Sequence, residues 1–390
     1  MFEYFPNHYS WNLGLLMAVQ LGGELSECDQ ACRPLIEAAK RPRDDPDAQR
    51  LWVESWGGVA RKIAAKAAAD EAKGHALAAG RKYRRAAIYF MTAERMASRK
   101  TPAKMELYRA YLDAFRKSVV LRGEPVEFVD VPYEGAALTA LFYRAPGGGR
   151  RPAMIHFDGF DVTKEWMHLS GMAVEFAARG ISTLMVDHPG VGTALRLQNL
   201  PTSHESERWA KAAMDFLERR ADVDAKRVGI IAMSLGGYFA PRAAAFEKRL
   251  ACCIAWGARW DNALSHGRIL KDPNAARSVT GWVEHALWVY GARDADEAAA
   301  TIARMTLEGV TERIECPLLV VHGENDRQVP LDQARLTTER AVNAKRRDLR
   351  IFTVAEGGAE HVQGDNFSLA VDYMADWAAE VLGGGSATRA

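Results

Sequence analysis

Cysteine is scarce in this chain: five residues among 390, at positions 28, 32, 252, 253 and 316. So sparse and odd a set excludes a disulfide framework and reads as a protein of a reducing, cytoplasmic compartment. Cys28 and Cys32 can share a helix face at i, i+4. No nearby histidine or second cysteine pair completes a zinc site there, and no metal or cofactor is expected. Excess charge is also missing. Lys plus Arg number 51 and Asp plus Glu 50, a formal net charge of +1, which gives no electrostatic reason to expect nucleic acid or an anionic membrane as partner. Long apolar runs are absent as well: Leu13 to Leu21 is too short to span a bilayer and is broken by Gln20. The first residues lack the basic region and small-residue cleavage site of a secretory signal. What remains is a chain long enough for a large core with an added domain, whose expected partner is a small molecule. A homodimer is admitted as its assembly.

From Trp11 to Leu121 the sequence is rich in Ala, Leu, Arg, Lys and Glu and lacks strand-like alternation. Apolar and aromatic residues recur at helical spacing in Ala48 to Ala69 (Trp52, Trp56) and Arg81 to Ala97 (Tyr83, Ala87, Met91), as packed helices require. Residues 1–123 are therefore expected to form a helical cap region. The periodicity then changes. Val126 to Val131 and Leu138 to Tyr143 read as an antiparallel hairpin turning at Glu134-Gly135. After the flexible Pro146 to Pro152 segment, short apolar runs at Ala153 to Phe157, Ile181 to Val186, Val228 to Met233, Ala251 to Trp256, Pro317 to His322 and Leu349 to Val354 read as buried strands. Helix-compatible stretches lie between most of them, which implies right-handed βαβ crossovers and a mostly parallel sheet. Residues 124–261 and 314–390 would be the two parts of this core. Residues 262–313, after the sixth core strand, are too long for a crossover and read as a helical lid with helices near Val283 to Tyr290 and Asp294 to Met305. A last helix, Ser368 to Leu382, precedes Gly383-Gly384-Gly385 and a tail expected to fray.

The Val228 strand runs into Ala232-Met233-Ser234-Leu235-Gly236-Gly237 and then a helix-compatible segment. A serine lifted on a sharp strand-to-helix turn needs small neighbours, because the backbone folds tightly around it; Ala232 stands where the usual pattern has glycine. A serine hydroxyl also needs a base. Asp326 lies in the loop after the Pro317 strand, and His361 follows the next strand, so the order Ser, Asp, His is that of an α/β-hydrolase. Glu324 is the substitute acid should Asp326 fail. His188 comes too early and has no paired acidic loop, while His266 and His285 have no spacing argument behind them. A tetrahedral oxyanion needs preorganised donors, and the backbone N–H groups of Phe160, after Gly159, and of Leu235 are assigned to it. Asp161 is expected to cap the helix beginning near Thr163.

Gly159-Phe160-Asp161-Val162-Thr163-Lys164-Glu165, the turn Asp187 to Gly192, the elbow Ser234 to Tyr238, and His361 followed by Gln363, Asp365 and Asn366 together resemble the FrsA-like branch of the α/β-hydrolase superfamily. That branch includes 2,6-dihydroxypseudooxynicotine hydrolase and fungal polyketide-shortening hydrolases. The resemblance covers Val126 to Leu382 and implies an α/β-hydrolase fold. It also implies hydrolysis of a carbon–carbon bond beside a ketone, with Ser234, Asp326 and His361 as the triad. The nicotine-pathway enzyme implies a further pocket acid, for which Asp261 is a candidate, although an N-cap at the start of the insertion is its simpler role. The expectation is a serine hydrolase acting on a small-molecule carbonyl substrate. A carboxylesterase, an acyl transferase and a catalytically idle binding domain are the alternatives, since fold alone never proves chemistry.

Overall fold

Pro125 and Val126 separate two kinds of structure. The computed structural model describes residues 1–97, 100–272 and 274–384; the tail expected to fray lies outside them from residue 385. Met1–Pro125 with Ala276–His285 forms one compact unit, and Val126–Ala275 with the chain from Ala286 onward forms the other. The insertion expected over 262–313 thus divides between the two units.

The first unit is helical: α1 (Tyr9–Gln20), α2 (Leu25–Cys32), α3 (Pro46–Ala72), α4 (Ala76–Arg95) and α5 (Pro102–Arg122). Asp45 starts α3 by accepting from Ala48 N, and Thr101 starts α5 by accepting from Lys104 N, each followed by a proline whose missing N–H costs nothing there. The tryptophans at i, i+4 on α3 face inward: Trp11–Trp52 and Trp52–Trp56 rings lie 5.0 and 5.5 Å apart, and Trp56 reaches Tyr89 of α4 at 5.8 Å. Such pairs add about 0.5–1.5 kcal/mol each beyond the area they bury. Segment 276–285 is tied to these helices by polar contacts, with Ser10 Oγ donating to Arg277 O (2.7 Å), Gly281 N to Asp44 Oδ1 (2.9 Å), and Arg277 paired to Asp44 (2.8 Å).

The second unit is built on a mostly parallel eight-stranded sheet. Its strands are β1 (Val126–Tyr133), β2 (Ala136–Tyr143), β3 (Arg151–Phe157), β4 (Ser182–Val186), β5 (Val223–Met233), β6 (Cys252–Trp256), β7 (Leu318–Gly323) and β8 (Arg347–Phe352), in spatial order β1-β2-β4-β3-β5-β6-β7-β8. β1 and β2 form the expected hairpin, whose two turn residues both take positive φ, Glu134 at 48° and Gly135 at 81°. That geometry matches the twist of the flanking strands. β2 also runs antiparallel to β4, and every pair from β4 through β8 is parallel. Helices lie on both sides of the sheet. The strand order reverses at β3, with β4 on one side and β5 on the other, so a crevice opens beyond the carboxyl ends of β3 and β5. Gly159-Phe160 follows β3 and Ser234 follows β5. Topology alone therefore brings these two segments together. Among the described residues, no helix is long and apolar enough to cross a membrane.

Candidate active site

Ser234 caps β5 with φ +61°, left-handed backbone that side-chain-bearing residues rarely adopt. Such strain costs roughly 1–3 kcal/mol and persists only where the surroundings over-determine it. Here they do. Ser234 N donates to Trp256 O of β6 (2.8 Å), and Gly237 N donates back to Ser234 O (2.8 Å). A Cβ on Gly237 would lie 2.4 Å from Gly257 O, and one on Gly236 would lie 2.6 Å from the Ala232 methyl. Bare Gly236 thus leaves the room that Ala232 fills, which explains why alanine serves where the usual elbow has glycine.

The serine meets the two later loops. Ser234 Oγ is 2.8 Å from His361 Nε2, and His361 Nδ1 is 2.7 Å from Asp326 Oδ2. The other oxygen of Asp326 accepts from Gln328 N (2.8 Å) and Val329 N (2.9 Å), so its own loop holds the carboxylate in place. Burial would raise the Asp326 pKa, but the charge of His361 and the hydrogen bond to it outweigh burial and bring it down to about 2. Asp326 therefore stays ionised at neutral pH. Glu324, the substitute acid, is exposed and accepts from Val354 N instead (3.0 Å).

The loop carrying His361 is fixed around Asp365, which accepts from Gly358 N, Ala359 N and Glu360 N at 3.0–3.1 Å. Gln363 Oε1 accepts from the indole of Trp256 at the end of β6 (2.6 Å). Gly323 lets this loop cross β7, since a Cβ there would lie 2.3 Å from Ala359 O.

Leu235 N belongs to the first turn of helix Gly236–Phe246, where N–H groups lack an intrahelical acceptor. The backbone of Gly159 presses against the same turn: a Cβ on it would lie 2.7 Å from Leu235 N and 2.9 Å from Ser234 Cβ. Phe160 follows directly. Asp161 does not cap the next helix. Thr163 Oγ1 does so, accepting from Trp166 N, while Asp161 takes positive φ and forms a buried two-pronged pair with Arg196 (Oδ2–Nη2 2.7 Å). A charged two-point contact fixes this loop more firmly than a cap would. Asp187 anchors the neighbouring turn by accepting from Lys164 N, Lys164 Nζ and Thr193 N, each at 2.8 Å. His188 is occupied elsewhere, its ring nitrogens 2.8 and 2.9 Å from Pro189 O and Asp158 O. Asp261 accepts from Ala263 N (2.7 Å) and caps the short turn 262–264.

The sequence reading missed Arg259. Its guanidinium is fully buried, Nη1 donates to Ser265 Oγ (2.9 Å), and Nη2 lies 3.5 Å from Ser234 Oγ. Burial lowers its pKa to about 10, still far above neutrality. His266, which had no spacing argument, bonds Tyr290 OH through Nδ1 (2.6 Å), and its ring meets Phe160 edge-on at 4.9 Å. Burial pushes the imidazole well below its ordinary pKa, so it is neutral. Serine, imidazole and carboxylate in this relay can transfer a proton from hydroxyl to imidazole as the oxygen attacks a carbonyl.

Known proteins agree with this architecture. Residues 49–380 match the family model described as FrsA-like, esterase FrsA-like. The chain is 27% identical over 311 residues to 2,6-dihydropseudooxynicotine hydrolase of Paenarthrobacter nicotinovorans, covering 76% of this chain and 75% of the relative. It is 26% identical over 340 residues to 20-hydroxy-prefusarin hydrolase FUS2 of Gibberella moniliformis, with 77% of each covered. The crystal structure of 2,6-dihydroxy-pseudo-oxynicotine hydrolase superimposes with a TM-score of 0.75 at 24% identity, covering 94% of this chain and 95% of that one. The chain belongs to the FrsA-like esterase family and is a hydrolase of the α/β-hydrolase fold.

Proposed function

We propose that this protein is a serine-dependent hydrolase that cleaves a carbon–carbon bond beside a ketone in a small organic substrate. The observation that carries the reading is the unbroken relay from Ser234 through His361 to Asp326. In the proposed reaction His361 Nε2 takes the hydroxyl proton as Ser234 Oγ attacks the carbonyl carbon. The N–H groups of Phe160 and Leu235 receive the oxyanion, and Asp326 stabilises the imidazolium. The bond to the leaving carbon breaks with its electron pair on that carbon, which His361 protonates. Water, deprotonated by His361, then releases the acyl group as a carboxylic acid. The carbon-cleaving choice rests on relatives named for the hydrolysis of pseudooxynicotine and prefusarin compounds. The esterase description of the family favours a second reading, a carboxylesterase, which shares every step except the leaving atom. Five free thiols fit a reducing, cytoplasmic location within the same reading.

The test is covalent labelling by a fluorophosphonate, with the modified peptide identified by mass spectrometry, followed by kcat/KM across matched ketone and ester series. Labelling at Ser234, absent in Ser234→Ala, with ketone cleavage to a carboxylic acid and the protonated leaving fragment is expected. An unlabelled wild-type protein would refute the nucleophile; turnover of esters alone would move the function to carboxylesterase.

A further inference from the structure

Arg259 poses a charge problem. Its side chain is fully buried, and among the described residues no carboxylate stands within ion-pair distance of it. Its Nε is buried without a hydrogen-bond partner. A buried cation left alone is unfavourable unless something supplies an opposite charge or acceptor. Asp326, the acid whose field it feels, is already engaged by His361 and two backbone amides. Ser265, which accepts from Nη1, is neutral. On one edge of the guanidinium Nε is therefore buried without a partner, and Nη2 has only a long contact of 3.5 Å to Ser234 Oγ.

The 3.5 Å from Nη2 to Ser234 Oγ brings that edge close to the atoms adjoining any carbon bonded to the serine oxygen. A planar fork of two N–H groups matches a delocalised oxyanion. We propose that Arg259 receives the oxygen of a second carbonyl placed β to the scissile one, which makes the substrate a 1,3-dicarbonyl compound. The inference rests on Ser234 being the nucleophile and assigns what makes the leaving carbon a competent leaving group. When the carbon–carbon bond breaks, its electron pair passes to the α-carbon and delocalises onto that second oxygen as an enolate held by Arg259. The imidazolium of His361 returns the proton to the α-carbon, giving a ketone, and water later converts the acyl-serine to a carboxylic acid. One diketone and one water thus give one acid and one ketone. Phe160 and Leu235 N–H groups serve the other oxygen.

The experiment separates binding from chemistry. Benzoylacetone enolate, followed by its ultraviolet absorbance, is titrated into Ser234→Ala and into the double variant Ser234→Ala/Arg259→Met, and butyrophenone, which lacks the second oxygen, is titrated alongside. Loss of a buried charged partner should weaken enolate binding about 100-fold in the double variant and leave butyrophenone binding far less changed. On the Ser234 background, Arg259→Met should lower kcat/KM for benzoylacetone about 100-fold more than for phenyl acetate, with Arg259→Lys intermediate because it keeps charge without the fork. Circular dichroism checks the fold. Should the methionine variants not fold, preference of Ser234→Ala for the enolate over butyrophenone, and its partial weakening in Ser234→Ala/Arg259→Lys, decides the matter. Equal losses for diketone and ester, enolate binding indifferent to Arg259, or tighter binding of benzoate than of the enolate would each overturn the proposal. Failure of Ser234 to label, with enolate binding still dependent on Arg259, would instead refute the nucleophile alone.

Discussion

Asp326 and His361 meet across 35 residues of chain with Oδ2 and Nδ1 2.7 Å apart, while the remaining carboxylate oxygen is held by two amides of its own loop. The carboxylate is therefore held by its own loop independently of the histidine. It selects the tautomer with the proton on Nδ1 and leaves Nε2 as the acceptor facing Ser234.

Asp326→Asn should lower kcat by about a thousandfold or more, because an amide can present its N–H to His361 and impose the wrong tautomer. Glu324→Gln, altering an exposed side chain bonded to Val354 N, is the control and should change kcat less than twofold, roughly the scale of a surface substitution. Steady-state kinetics on both variants decide. A large loss at Glu324 with little at Asp326 would exchange their roles.

The depressed carboxyl of Asp326 also links stability to pH. Its pKa falls from 3.8 to about 2 on folding, so as pH drops through about 4 the unfolded chain takes up a proton that the native protein refuses. Stability from this group is present above that range and is lost as pH falls towards 2, amounting to about 2 kcal/mol in all. Urea unfolding at pH 5 and pH 3 should show the wild-type protein losing about 1 kcal/mol more than Asp326→Asn between the two conditions. Equal losses would mean that Asp326 titrates alike in both states.

How much of this site a reader of the sequence can see depends on how local its causes are. The hairpin at Glu134-Gly135 is written in adjacent residues, and the relay follows from three strand ends in a fixed order, so Ser234, Asp326 and His361 are legible together. The partner of Asp161 is not. A short acid before a helix reads as a cap, and only the fold brings Arg196 to it from 35 residues away. Arg259 is hidden for a related reason: beside Gly257-Ala258 it reads as one more loop cation, and its burial follows from packing that no local pattern encodes. Segment 276–285 likewise reads as part of the lid, yet its contacts are to Ser10 and Asp44, far away in sequence.

Gly159 gives the sharpest test of the oxyanion assignment, because it contributes no side chain and any effect of replacing it must come from the space it leaves. A methyl group there would stand 2.4 Å from Met233 O and 2.7 Å from Leu235 N. Both are backbone atoms, and neither can swing aside as a flexible side chain could. The loop after β3 must then move away from the elbow, which separates the Phe160 N–H from the Leu235 N–H while leaving Ser234, His361 and Asp326 chemically intact. Gly159→Ala should therefore lower kcat about a hundredfold, the scale of losing one oxyanion donor. The substrate ground state is expected to bind nearly as before, so KM should change much less than kcat. Kinetics are to be measured alongside thermal unfolding, since the displaced loop also lowers stability. A folded Gly159→Ala protein with wild-type kcat would remove Phe160 and Leu235 from the oxyanion hole.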